Sequence, residues 1–286
     1  MSERGHTEGF LSRVVAAVAG SGPLCAGIDP SAALLAQWGM PDSANGLRTF
    51  GLRCVEAFAG VVPVVKPQVA FFERCGAAGV DALQSVMGAA RNAGLLVIAD
   101  AKRGDIGSTM EAYASAWLDP TSPLAADAVT AHPYLGIGGL QPMIDLASAT
   151  GRGVIVVARS SNPEGRTLQR ARTDDGSGPA VEDMILAAIA ELNRRGGVLP
   201  GTVGAVIGAT LPPSDYRLAD LGGVILAPGV GAQGGTAAEV GALFSECAAG
   251  SVLASSSRSL LAEGPDVKSL AAAARRARDD MVAALS

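Results

Sequence analysis

Histidine and lysine are scarce in this chain of 286 residues: the histidines are His6 and His132, the lysines Lys66, Lys102 and Lys268, against nineteen arginines. With so few imidazoles, a zinc cluster or a Ser/His/Asp triad has almost nothing to be built from. Cysteine is equally thin. Cys25, Cys54, Cys75 and Cys247 form no C-x-x-C pair, which points to small buried hydrophobes rather than disulfides. Charged residues make up only 17% and sum to −5, so neither nucleic acid nor an anionic membrane surface is the expected partner. Any phosphate the chain binds must be held locally. No apolar run approaches the ~18–20 residues of a membrane helix, although hydrophobic residues reach 49%. The stretch Met1–Gly9 is polar, with charges of both signs and no apolar h-region, so the expectation is a cytoplasmic chain without a signal peptide. Codon bias accounts for the preference for arginine over lysine as a whole, and each surviving lysine is then a candidate for a task arginine cannot do.

What the sequence does have is a recurrence of short oily runs bounded by Gly, Pro or Asp, each followed by an Ala/Leu-rich segment of helical character. The runs are Pro23–Asp29, Val61–Lys66, Gly94–Lys102, Asp127–His132, Gly153–Arg159, Val203–Ala209, Gly223–Pro228 and Ser251–Ser255. Strands that are apolar on both faces and alternate with helices indicate a parallel sheet shielded on two sides. Eight such units predict an α/β fold, a (β/α)₈ TIM barrel in one domain spanning residues 1–286. A doubly wound sheet is the alternative, but the first run ends in Ala26-Gly-Ile-Asp-Pro30 and carries no G-x-G-x-x-G turn. The polar stretch 162–179 reads as an irregular loop excursion after the fifth strand rather than a domain boundary.

In a barrel the functional face is formed by the C-terminal strand ends and the loops after them. Asp29 closes the first run, Lys66 the second, Asp100 and Lys102 the third and His132 the fourth; Ser160 and Ser161 follow the fifth, Gln233 the seventh and Arg258 the eighth. Asp100 and Lys102, two apart, share one face of an extended strand. With Asp29, Lys66 and Asp105 they supply two cations and three anions, either a buried ion-pair network that merely fixes the barrel or a site. A lysine ammonium is a compact proton donor with a tunable pKa, whereas guanidinium is effectively never deprotonated, so Lys102 is the candidate general acid and Lys66 its charge partner. The Gly-rich segment 227–235 with Arg258 in the next loop matches the place where barrels hold phosphate. His132 has no second histidine or cysteine with which to share a metal, and a hydrogen-bonded structural role competes with a catalytic one. Trp38 and Trp117 read as packing residues.

These residues carry a resemblance. Asp100-Ala-Lys-Arg-Gly-Asp-Ile106 resembles the D-x-K-x-x-D-I signature of the orotidine 5′-phosphate decarboxylases, and Gly107-Ser-Thr109 extends it toward the longer bacterial group of that family. Gly27-Ile-Asp-Pro30, Lys66, Ser160-Ser-Asn-Pro163, the segment 227–233 and Arg258 agree in order along most of the chain. D-x-K-x-x-D alone is shared with metal-dependent keto-sugar-phosphate decarboxylases and aldolases of the same barrel superfamily. A noncatalytic phosphosugar-binding barrel is a further alternative.

The resemblance implies a homodimer that converts orotidine 5′-monophosphate to uridine 5′-monophosphate and CO₂ with no metal or organic cofactor. It implies Lys102 as proton donor to C6, Asp100 beside the departing carboxylate, and Lys66 bridging the acidic residues and the ribose. Asp29 would bind the ribose, and Ser160 or Ser161 the pyrimidine edge. Gln233 and Arg258 would hold the phosphate, while Asp105 and Thr109 would reach into the neighbouring subunit's site. Shorter members have a Tyr two residues after the glutamine, where this chain has Gly235.

Overall fold

The computed structural model describes residues 8–212, 216–231 and 234–285. Eight parallel strands close into a barrel in sequence order: β1 Leu24–Ile28, β2 Val64–Pro67, β3 Leu96–Arg103, β4 Ala128–Ala131, β5 Gly153–Arg159, β6 Val203–Ile207, β7 Ile225–Pro228 and β8 Val252–Ser256. All eight correspond to the oily runs. Closure pairs β1 with β8, with Cys25 opposite Ser255. β2 starts later than its run because Pro63 has no N–H to give the ladder, although its carbonyl accepts from Leu96 N at 3.0 Å. Val61 and Val62, read as strand, are buried in the turn that leaves the preceding helix.

Two apolar layers result. Outward-facing strand residues such as Leu24, Val65, Val97 and Val129 pack under the surrounding helices, while Cys25, Val64, Ile98, Ile155, Leu226 and Leu253 fill the lumen. The helix Phe10–Ser21, ahead of the first strand, seals the bottom of the lumen with Phe10 and Val14. Phe10 lies so close to the start of β5 that a Cβ at Gly153 would stand 2.4 Å from its ring, so only glycine fits there. The same helix places Arg13 in an ion pair with Asp127, whose other oxygen takes the Val97 N–H at 2.8 Å.

The tryptophans pack as expected. Trp38 stacks on Phe50 at 3.9 Å and donates to the Leu261 carbonyl, and Trp117 is buried. All four cysteines are free; Cys25 and Cys54 are fully buried, Cys75 and Cys247 partly so. The excursion after β5 is more ordered than a plain loop. It contains 3₁₀ turns at Pro163–Gly165 and Asp174–Gly176, a one-turn helix Arg166–Gln169 and a bridge between Arg172 and Ala180. No helix among the described residues is long and apolar enough to cross a membrane.

Candidate active site

The strand ends at the C-terminal mouth gather the charged residues around one carboxylate. Asp100, buried on β3, accepts four hydrogen bonds. Its Oδ2 takes Lys66 Nζ and Gln68 Nε2, each at 2.9 Å, and its Oδ1 takes Lys102 Nζ at 2.6 Å and Thr130 Oγ1 at 2.9 Å. Burial works against the ionised carboxyl, but the Lys66 and Lys102 ammonium groups overcome it and hold the Asp100 pKa well below the usual carboxylate range. Burial likewise penalises the Lys66 ammonium, and the carboxylates of Asp100 and Asp29 outweigh it, raising Lys66 above the ordinary lysine value. Two residues before Gly27, burial pushes the Cys25 thiol up to about 12 despite the opposing pull of Lys66.

The neighbourhood of Asp100 and Lys102 does not arise from a regular strand face. The β3–β4 register jumps from Ala99↔Val129 to Arg103↔Ala131, so the strand bulges there. Within the bulge Lys102 adopts φ +48°, a left-handed backbone unusual for a residue with a side chain. Its ammonium turns back onto Asp100 while the side chain keeps 41% of its surface exposed. One lysine is thus buried and fixed, and the other is open to the cavity.

That cavity has a volume of about 280 Å³ and is lined by Asp29, Lys66, Asp100 and Lys102 on one side, Ser160, Ser161 and Asn162 on another, and Gly229, Val230, Ser257 and Arg258 at the far end. Asp29, at the end of β1, accepts from Ser257 Oγ at 2.5 Å, and its Oδ1 has no hydrogen-bond partner. A Cβ at Gly27 would lie 2.6 Å from Ser257 Cβ, so glycine there lets the loop after β8 close over β1. After β5, Ser160 is held by Gln169 from the excursion: Ser160 N donates to Gln169 Oε1 at 3.0 Å, and Gln169 Nε2 donates to Ser160 Oγ at 2.7 Å. Arg258 is exposed at the start of the helix Arg258–Leu261.

Of the residues singled out in the sequence, Asp29, Lys66, Asp100, Lys102, Ser160, Ser161 and Arg258 converge on this cavity. Asp105 and Thr109 do not line it. They lie beyond the bulge, where Asp105 Oδ1 accepts from Ile106 N at 2.8 Å and Thr109 is exposed. Gln233 falls outside the described residues. His132 is not part of the lining. Its backbone N donates to the Arg103 carbonyl at 2.8 Å, and burial together with the Lys102 ammonium lowers its pKa against the pull of Asp100. Sequence reading passed over Gln68, Thr130 and the Ser257–Asp29 bond. Gln68 directly follows β2, so a search for uncharged polar residues at strand ends would have found it.

The family model described as "Orotidine 5'-phosphate decarboxylase / HUMPS family" matches residues 22–273. The chain is 51% identical over 279 residues to the orotidine 5′-phosphate decarboxylase of Salinispora arenicola, covering 98% of this chain and 99% of that protein. It is 52% identical over 260 residues to the protein of the same name from a Nocardioides species, at 90% and 94% coverage. A crystal structure from Streptomyces avermitilis assigned to the same activity superposes with a TM-score of 0.91 at 46% identity, covering 100% of this chain and 99% of the other. The Leishmania donovani OMP decarboxylase structure gives 0.75 at 29% identity, with 96% and 98% coverage.

Proposed function

The chain belongs to the orotidine 5′-phosphate decarboxylase family, and from that premise we propose how its mouth residues divide the work. The reaction is the decarboxylation of orotidine 5′-monophosphate in pyrimidine biosynthesis. Breaking the bond from C6 to the carboxylate leaves an electron pair in the plane of the ring, where ring resonance cannot spread it. Catalysis therefore needs a fixed positive charge at that position, stronger in the transition state than in the ground state. Lys102 supplies it and delivers its proton to C6 as CO₂ departs, and solvent then reprotonates the amine. The observation that carries this reading is Asp100 clamped between Lys66 at 2.9 Å and Lys102 at 2.6 Å at the edge of the cavity.

In this reading Asp100 lies beside the departing carboxylate, and Lys66 balances its charge and faces the ribose. Asp29 uses its unpartnered Oδ1 toward a ribose hydroxyl. Ser160 or Ser161 reads the pyrimidine edge, while Arg258 and Gln233 hold the phosphate. Phosphate binding, remote from the reacting carbon, contributes through closure of the Gly-rich loop and exclusion of water. The chain works as one barrel domain, in the cytoplasm, without metal or organic cofactor.

Asp105 and Thr109 act across a homodimer interface. Supporting this are their position outside their own chain's cavity and the exposed apolar side chains beside Asp105: Ile106 at 58% and Leu135 at 56%. Ile106 and Leu135 both flank Gly139, so they form one patch of the kind that marks an interface. The experiment is an ultraviolet assay for loss of orotidine 5′-monophosphate absorbance in excess EDTA. Turnover unaffected by the chelator is expected. Chelator-sensitive turnover would contradict the cofactor-free reading, and no turnover would contradict the assignment itself.

A further inference from the structure

The bulge in β3 leaves a gap in the backbone ladder opposite β4. Pairing resumes only at Arg103↔Ala131 after stopping at Ala99↔Val129, so Asp100, Ala101 and Lys102 together face the single β4 residue Thr130. The main chain of Thr130 is engaged in register with Ile155 of β5, on its other side. Its side chain fills the gap. Thr130 Oγ1 accepts the Lys102 backbone N–H at 2.9 Å and donates its own proton to Asp100 Oδ1, also at 2.9 Å. Thr130 is 1% exposed, so its hydroxyl is shielded from water and its bond to Asp100 is buried.

The two bonds meet at the two features that the site depends on. One is the left-handed backbone of Lys102, φ +48°, which carries strain and persists only where its surroundings hold it. The other is Asp100 Oδ1, the same oxygen that receives the Lys102 ammonium at 2.6 Å. A hydroxyl offers from one atom both an acceptor for the N–H and a donor for the carboxylate, which among small side chains a thiol does only weakly. Valine would match the shape and supply neither, leaving the Lys102 N–H without its partner and the carboxylate one donor short.

We propose that Thr130 is a positioning residue for the decarboxylation: its hydroxyl replaces the missing ladder bond of the bulge and fixes the Lys102 ammonium against Asp100. The proposal rests on the reading of Lys102 as proton donor. Thr130 does not line the cavity, so it touches no substrate and acts only through those two residues.

The test compares Thr130→Val, Thr130→Ser and Thr130→Ala with Lys102→Ala, measuring kcat and KM for orotidine 5′-monophosphate, equilibrium binding of uridine 5′-monophosphate, and the melting temperature. Misplacing a reacting group by a fraction of an ångström typically costs between about 10- and 100-fold. Thr130→Val is expected to lose kcat by that factor, with KM and product affinity within about threefold of wild type, and Thr130→Ser is expected to recover most of the loss. If the valine variant does not fold, the serine variant is still expected to exceed the alanine variant in kcat by about tenfold or more.

Valine at wild-type kcat, serine no better than alanine, or a loss confined to KM would each overturn the proposal. A fall in melting temperature with kcat unchanged would also overturn it, since that is what a merely structural role gives. Lys102→Ala separates the two levels of argument. If that variant keeps its activity, the proton-donor reading fails; if it is inactive while Thr130→Val is fully active, only the role of Thr130 fails.

Discussion

The two ends of the barrel each centre on a buried aspartate, Asp127 at the bottom and Asp100 at the mouth, and they use it differently. At the bottom, Asp127 receives Arg13 from the N-terminal helix and the Val97 N–H, and both bonds tie pieces of the scaffold together. At the mouth, Asp100 receives two lysines, a glutamine and a threonine, and one of those lysines keeps much of its surface open to a cavity. A buried charge is therefore not by itself a site. What marks the mouth is more than one cation on one carboxylate, a strained backbone at the exposed cation, and an acceptor at Asp29 Oδ1 with nothing to bind. The bottom shows the ordinary structural use of charge, closed on itself and capped by Phe10 and Val14.

If the bottom serves only stability, Phe10→Ala should produce the largest energetic effect with no catalytic one. Deleting a fully buried phenyl ring is expected to cost about 3–5 kcal/mol in denaturant unfolding while kcat of the folded fraction stays at the wild-type value. A drop in kcat would break the contrast between the two ends.

Asp100→Asn should act on both counts. Leaving two lysines short of their carboxylate is expected to cost about 3 kcal/mol near neutral pH. The folded pKa of Asp100 is depressed, so its contribution is present above the unfolded carboxyl value of about 3.9 and fades as the pH falls through the folded value. The stability gap between wild type and variant should accordingly narrow below about pH 4. Lys66 is shifted the other way, so its contribution is present below about pH 10.4 and fades as the pH rises through its higher folded value. Between those limits neither group changes charge in the wild-type protein, and a gap that failed to narrow below about pH 4 would contradict the depressed Asp100 value.

Arg258→Ala sharpens the mouth itself. Loss of a phosphate contact is expected to lower kcat/KM for the nucleotide about 100-fold and to leave turnover of the nucleoside nearly unchanged, as measured side by side. Equal losses on both substrates would place Arg258 in another role.

A smaller effect separates cis from trans. Lys102→Ala and Asp105→Ala homodimers, each nearly inactive, are mixed under conditions of demonstrated subunit exchange. Half the dimers become hybrids and half of their sites regain both residues, so activity should rise to about a quarter of wild type by the symmetry of an isologous dimer. No recovery would leave Asp105 acting in its own chain.

The eight strands were legible because parallel barrel strands are oily on both faces and their ends are punctuated by Gly, Pro or Asp. Lys66, Asp100 and Lys102 were legible for the same reason, since a charge ending such a run is costly without a purpose. The bulge was not. A lysine in the left-handed region leaves no mark in its own residue type, and the proximity of Lys102 to Asp100 was reached through strand alternation although the backbone achieves it by breaking that alternation. Gln68 and Thr130 escaped because uncharged polar residues near a strand end are common, and only the distances single them out. The sealing helix Phe10–Ser21 precedes the first strand, outside the βα alternation that revealed the rest.

The central claim is that the exposed lysine of the mouth gives its proton to the substrate carbon, and Lys102→Ala tests it most directly. Steady-state turnover of orotidine 5′-monophosphate is measured beside equilibrium binding of uridine 5′-monophosphate to the same folded protein. The account predicts a loss of about 10³-fold or more in kcat, with product affinity within a few-fold of wild type. Retention of more than about a tenth of wild-type kcat would contradict it.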